Sequence, residues 1–204
     1  MDYFFHRELA MDNHEEGYMT GGLDHLVAYH CAPTLMGMKA GNMLCLKRSA
    51  FTDREQKVRD ALHMLREKGL SAKVFHTLWD ASLIYLYRMD LLNESLSHPL
   101  SRSLLSSLHY RGQDTEELLE QLGRRMEGNE SFPHEIGLFL GYPPEDVAGF
   151  VQHKGAGCKF CGCWKVYGDV EKAKAIFDQY AYCRFACLQG LKSGMTLHQI
   201  ACAI

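Results

Sequence analysis

The sequence predicts an α+β fold, with a small antiparallel sheet of about four strands covered by six to seven helices. Two observations carry this expectation. Segments with apolar residues at helical spacing, many bounded by Pro, Gly or acidic capping residues, fill most of the chain. The β-rich runs are short and neighbouring, which suits hairpins better than alternating strand–helix units.

Residues 1–20 are polar with scattered aromatics and are read as an N-terminal arm, with residues 21–204 as a single α+β domain. Leu23 to Cys31 has helical spacing, and Pro33 bends it or opens the next turn. Asn42–Lys47 reads as a strand. Thr52 and Glu55 form a capping box for a helix that carries Val58, Leu62 and Leu65 on one face and stops at Gly69. Ala72–Leu78 and Ser82–Tyr87 form a hairpin around Trp79-Asp80-Ala81. Met89–Tyr110 is helical but broken at His98-Pro99, and Thr115–Met126 is amphipathic, starting from a box at Thr115 that lacks its Glu. Pro133 suits the first position of a helix ending at Gly141. Pro143-Pro144 opens another, with Glu145 and Asp146 in its first turn and Gly155 and Gly157 at its end. Lys159–Tyr167 reads as one strand, and Gly168-Asp169 caps a last helix running to about Leu191.

The charge balance, net -3, does not favour a polyanion partner, and the pairs Lys47-Arg48 and Arg124-Arg125 are too short for a nucleic-acid surface. A DNA-reading helix at residues 144–153 would open on Glu145-Asp146 and carries no arginine. No run approaches the roughly 18–20 apolar residues of a membrane helix, and the first residues lack the basic start and apolar core of a secretory signal. A cytoplasmic location is expected, where the eight cysteines serve as reduced thiols, metal ligands or redox groups. No phosphate loop, HExxH, GxSxG elbow or CxxCH haem motif occurs.

The segments PHEIGLFLGYPPEDVAGF, CGCWKVYGDVEKA, HCAPTLMGMKAGNML and LIYLYR resemble the bacterial domain-of-unknown-function family 3793, over roughly Leu23–Leu191. The resemblance implies a protein of anaerobic Gram-positive bacteria and no established activity. Its motif positions fall here on His30, Cys31, Pro33, Asn42, Tyr87, Arg88, Pro133, His134, Glu135, Gly141, Pro143, Gly162, Trp164, Lys165 and Tyr167. The chain departs from the pattern at Cys163, where an aromatic is expected.

Three functions fit these residue types. In a cysteine-dependent enzyme, catalysing acyl transfer or thiol redox, Cys31 is the nucleophile and His134 its base. Asn42 or Glu135 supports that base; His30, Arg88, Lys165 and Tyr167 bind the substrate. In a metal-binding or iron-handling protein, Cys158, Cys161, Cys163, Cys183 and Cys187 supply thiolates to zinc or an iron–sulfur cluster. The spacing is unlike a zinc ribbon, whose second half would be C-x2-C rather than the C-x3-C at Cys183 and Cys187. In a protein-binding adaptor, an exposed apolar patch replaces the active site. The expected partner is a small molecule or a protein, with no nucleic acid and no membrane.

Overall fold

The run Ala81–Arg88, ASLIYLYR, is apolar at nearly every position, so a strand built from it must be covered on both faces. The computed structural model describes residues 22–47, 60, 63–76, 81–128 and 132–201. In it this run is the middle strand, β3, of an antiparallel sheet of order β1-β3-β2, with β1 at Gly41–Lys47 and β2 at Leu70–His76. The register sets Gly41 opposite Tyr87 and Leu70 opposite Arg88.

Alternation along β3 sorts its side chains into two cores. Leu83, Tyr85 and Tyr87 face one cluster with Leu92, Leu105, Leu118, Leu122, Ile136 and Phe139. Ile84 and Leu86 face the other with Val27, Leu35, Leu65, Cys183 and Cys187. Each fully buried Leu or Ile contributes about 1.5–3 kcal/mol, which is why this strand can be so apolar.

The helices follow the chain. α1 is Gly22–His30 and α2 the single turn Ala32–Leu35, with Pro33 in its first turn. Of the helix expected over residues 52–69, the capping box lies outside the described residues; the described end is a 3-10 turn, Leu65–Lys68, closed by Gly69 at φ 72°. The N-terminal arm and the Trp79-Asp80 turn also lie outside the described residues. α3 (Met89–Ser97) and α4 (Pro99–Ser107) are separated at His98, whose Nδ1 accepts from the Leu100 amide. α5 spans Thr115–Gly128 and is capped by Asp114, whose carboxylate accepts from the Glu117 amide; Thr115 is already inside the helix.

The stretch after Pro133 differs from the expected helix. His134 and Glu135 form a turn, and the helix, α6, is only Ile136–Phe139. The turn is held by the buried Glu135 carboxylate, which accepts from the Tyr110 hydroxyl at 3.0 Å and pairs with Arg125 at 3.2 Å. α7 (Pro144–His153) begins after Pro143, as the proline pair predicts. α8 (Val170–Lys192) starts on Asp169, which caps the Glu171 and Lys172 amides, and α9 (Leu197–Ile200) closes the described chain. Among the described residues there are nine α-helices, several of them single turns, and five strands, the fifth arising because the last expected strand is a hairpin of two.

The second sheet comes from a further correction. Lys159–Tyr167 is not one strand but a hairpin of two, β4 (Phe160–Cys161) and β5 (Lys165–Val166). The reversal brings Gly162 against the Phe177 ring of α8, where a Cβ would stand 2.2 Å from a ring carbon. Only glycine permits that approach. A single strand over Lys159–Tyr167 would put Cys161 and Cys163 on one face; the reversal at Gly162 removes that arrangement.

Candidate functional site

The hairpin register places Cys161 directly opposite Lys165, and Phe160 opposite Val166. Opposed side chains of an antiparallel pair share a face, with Cβ atoms about 4.5–5.5 Å apart. Val166 is fully buried and Phe160 packs against the first core, so that pair is the inner face. Cys161, which is exposed, and Lys165 then form the outer face, and period-two alternation adds Lys159 and Tyr167 to it.

The loop from α7 into β4 brings a second thiol to this face. Lys154, Gly155 and Gly157 take φ values of 49°, 77° and 69°, a left-handed path that turns the chain sharply out of the helix. Two outer-face side chains hold it. Lys165 donates its Nζ to the Gly155 carbonyl at 2.7 Å, and the Tyr167 hydroxyl donates to the Ala156 carbonyl at 3.1 Å. Cys158 follows directly. Burial pushes the Tyr167 hydroxyl above its ordinary value, and nearby Cys158 and Cys161 push the same way. Both thiols therefore lie within electrostatic reach of one hydroxyl.

Asp146 anchors this arrangement from below. It is buried in the first turn of α7; its Oδ2 accepts from the Trp164 indole at 2.7 Å and its Oδ1 from the Tyr167 and Gly168 amides, each at 2.7 Å. Trp164 is wedged between Tyr142, at 4.9 Å, and Phe177, at 4.5 Å between ring centroids. His153 stacks on Tyr167 at 5.7 Å and 14°. His134 stands edge-on to Phe150 at 5.0 Å, and the Lys165 ammonium lies 5.6 Å from the same ring. His134 and Lys165 thus meet the same Phe150 ring, and Lys165 is the residue opposite Cys161.

Cys31 sits elsewhere. It is fully buried in the second core with Cys183 and Cys187, and burial pushes its thiol up to about 12, opposed by Lys39 and reinforced by Cys187. Lys39 is itself buried, its ammonium 4.7 Å from the Tyr142 ring and 5.4 Å from the Tyr180 ring. A thiol held neutral to about 12 when folded, against about 9 unfolded, costs no stability below pH 9. Above that the unfolded chain releases the proton first. Stability is then expected to fall with pH between about 9 and 12, by up to about 1.4 kcal/mol per unit from this group. Urea unfolding of the parent and Cys31→Ala at several alkaline pH values measures it; parallel curves would remove Cys31 as the cause.

The other candidate residues have structural partners. Asn42, in β1, accepts from the Thr34 hydroxyl at 2.8 Å. Arg88 is buried and donates to three carbonyls: Thr34 at 2.7 Å, Leu35 at 2.8 Å and Lys68 at 2.8 Å. Glu135 is bound by Tyr110 and Arg125, and Arg125 also donates to the Leu108 carbonyl. His30 meets the Tyr29 ring edge-on at 5.0 Å. Cys163 packs on the first core, whereas Cys183 and Cys187 belong to the second. Among the described residues, no group of three or more His, Cys, Asp or Glu is arranged to hold a metal ion, and no helix is long and apolar enough to cross a membrane.

Asp146, His153 and Lys39 are absent from the residues that the sequence singles out as a site. The signal for Asp146 is its place in an acidic first turn, which a helix dipole already accounts for.

A family model described as a protein of unknown function, DUF3793, matches residues 27–201. Neither a curated protein nor a solved structure matches the chain.

Proposed function

The chain belongs to the DUF3793 family, and we propose that it is a dithiol–disulfide oxidoreductase whose working pair is Cys158 and Cys161. The observation that carries this reading is the register that sets the exposed Cys161 directly opposite Lys165 on one face of the hairpin. A neighbouring cation favours the thiolate, the form that attacks sulfur.

The chemistry closes on the residues present and one disulfide substrate. Cys161, as thiolate, attacks one sulfur of the substrate. A mixed disulfide forms, the substrate S–S bond breaks, and the first leaving sulfur takes up the proton that Cys161 lost. Cys158 then attacks the Cys161 sulfur, displacing the second substrate thiol, which takes the proton from Cys158. Two electrons pass from the protein pair to the substrate. Tyr167, its hydroxyl kept protonated by burial, stays a neutral donor holding the loop that carries Cys158.

The reading moves the reactive thiol from Cys31 to Cys161. A thiol held neutral to about 12 is a poor nucleophile at neutral pH, and the charged neighbour identified for Cys31 is Lys39. It also favours redox over a five-cysteine thiolate metal centre, since Cys163 packs against the first core whereas the α8 pair belongs to the second.

Iodoacetamide labelling of the native reduced protein, followed peptide by peptide across pH, tests the assignment. Cys161 is expected to react first, at least about tenfold faster than Cys31, Cys183 and Cys187. If Cys161 labels no faster than an unstructured thiol with a pKa of about 8.5, or if Cys31 leads, the assignment fails.

A further inference from the structure

Resting on that dithiol reading, we infer that the hairpin selects a net-negative disulfide: a small or peptide disulfide bearing carboxylates. From Val147 to Gly168 the chain has no Asp or Glu but carries Lys154, Lys159 and Lys165, in a protein whose net charge is -3. The fold concentrates these charges. Lys159 and Lys165 share the outer face with Cys161, and Lys154 lies exposed at the left-handed turn leading to Cys158.

The nearest acids leave that positive field in place. The Asp146 carboxylate is buried and engaged by Trp164, Tyr167 and Gly168. Asp169 caps α8, and Glu171 pairs with Lys174 at 2.8 Å. Glu145 is exposed, with its side chain beside Gly168, and offsets part of the charge of Lys159. Lys159 and Lys165 donate to carbonyls, at Gly168 and Gly155, so their ammonium groups are held in place on this face. The stacked His153 and Tyr167 rings form a flat wall beside them on which the body of a ligand can lie.

The test follows formation of the Cys158–Cys161 disulfide in the reduced full-length protein. Three oxidants are used: net-negative oxidised glutathione, neutral bis(2-hydroxyethyl) disulfide and net-positive cystamine. Dithiothreitol serves as the structureless reference for each. At low salt the preference for glutathione disulfide over cystamine is expected to exceed the dithiothreitol preference by about tenfold or more, and to shrink as salt screens the lysines. Lys154→Glu and Lys159→Glu, both on the surface, should each reduce it, and together reverse it. The same order of rates as dithiothreitol, with the neutral reagent still closing the Cys158–Cys161 bond, would overturn the charge inference and leave the dithiol reading standing. Failure of the neutral reagent to close that bond would overturn both.

Discussion

Arg88→Ala is expected to lower the stability of the folded chain by about 3–5 kcal/mol, among the largest effects of any single change. Arg88 ends β3 with a buried guanidinium whose nitrogens reach the Thr34, Leu35 and Lys68 carbonyls. Thr34 and Leu35 end a one-turn helix, whose last carbonyls have no partner within the helix. Removing the guanidinium strands the buried Leu35 carbonyl, while the Thr34 carbonyl keeps the Gly37 amide at 3.2 Å; an unsatisfied buried group costs about 1–3 kcal/mol, and the cavity left by the side chain adds to that. Arg88→Lys keeps the charge but cannot reach three separate carbonyls with a planar fork, so it should fall between parent and Ala. Urea denaturation measures the series. A loss below about 1 kcal/mol for Ala would show that water or a rearranged turn takes over the carbonyls.

Asp146→Ala should cost about 2–4 kcal/mol, from the loss of charge-assisted bonds to Trp164, Tyr167 and Gly168. Its second effect is local. Those bonds tie the end of β5 to the start of α7, and Tyr167 in turn holds the loop carrying Cys158. Amide exchange at Tyr167 and Gly168 should therefore accelerate more than exchange in β3. Asp146→Asn retains one acceptor oxygen and should recover part of the stability. Uniform acceleration across both sheets would mean that Asp146 supports the whole fold rather than the hairpin.

These two residues mark what could and could not be read before the fold was known. β1, the β2–β3 hairpin, the break at His98 and the caps at Pro143-Pro144 and Asp169 were legible because their signals are local. The β4–β5 hairpin was not. Strands of two residues leave no alternation to count, and the close approach of Gly162 to Phe177 exists only once α8 is in place. Arg88 and Glu135 have side chains that suit a substrate clamp or a buried strut equally well. Burial decides between those roles, and burial is a tertiary property. The motif positions His134 and Lys165 meet at the Phe150 ring of α7, away from Cys31, which is buried in the second core on the other face of the main sheet.

The most direct measurement of the central claim is disulfide mapping after mild oxidation of the reduced native protein, comparing the parent with Cys158→Ser and Cys161→Ser. One intramolecular bond is expected, Cys158–Cys161, reversible by added thiol and absent from both variants, while Cys31, Cys183 and Cys187 stay reduced. A first bond formed between any other pair, or oxidation that proceeds unchanged in both variants, would contradict it.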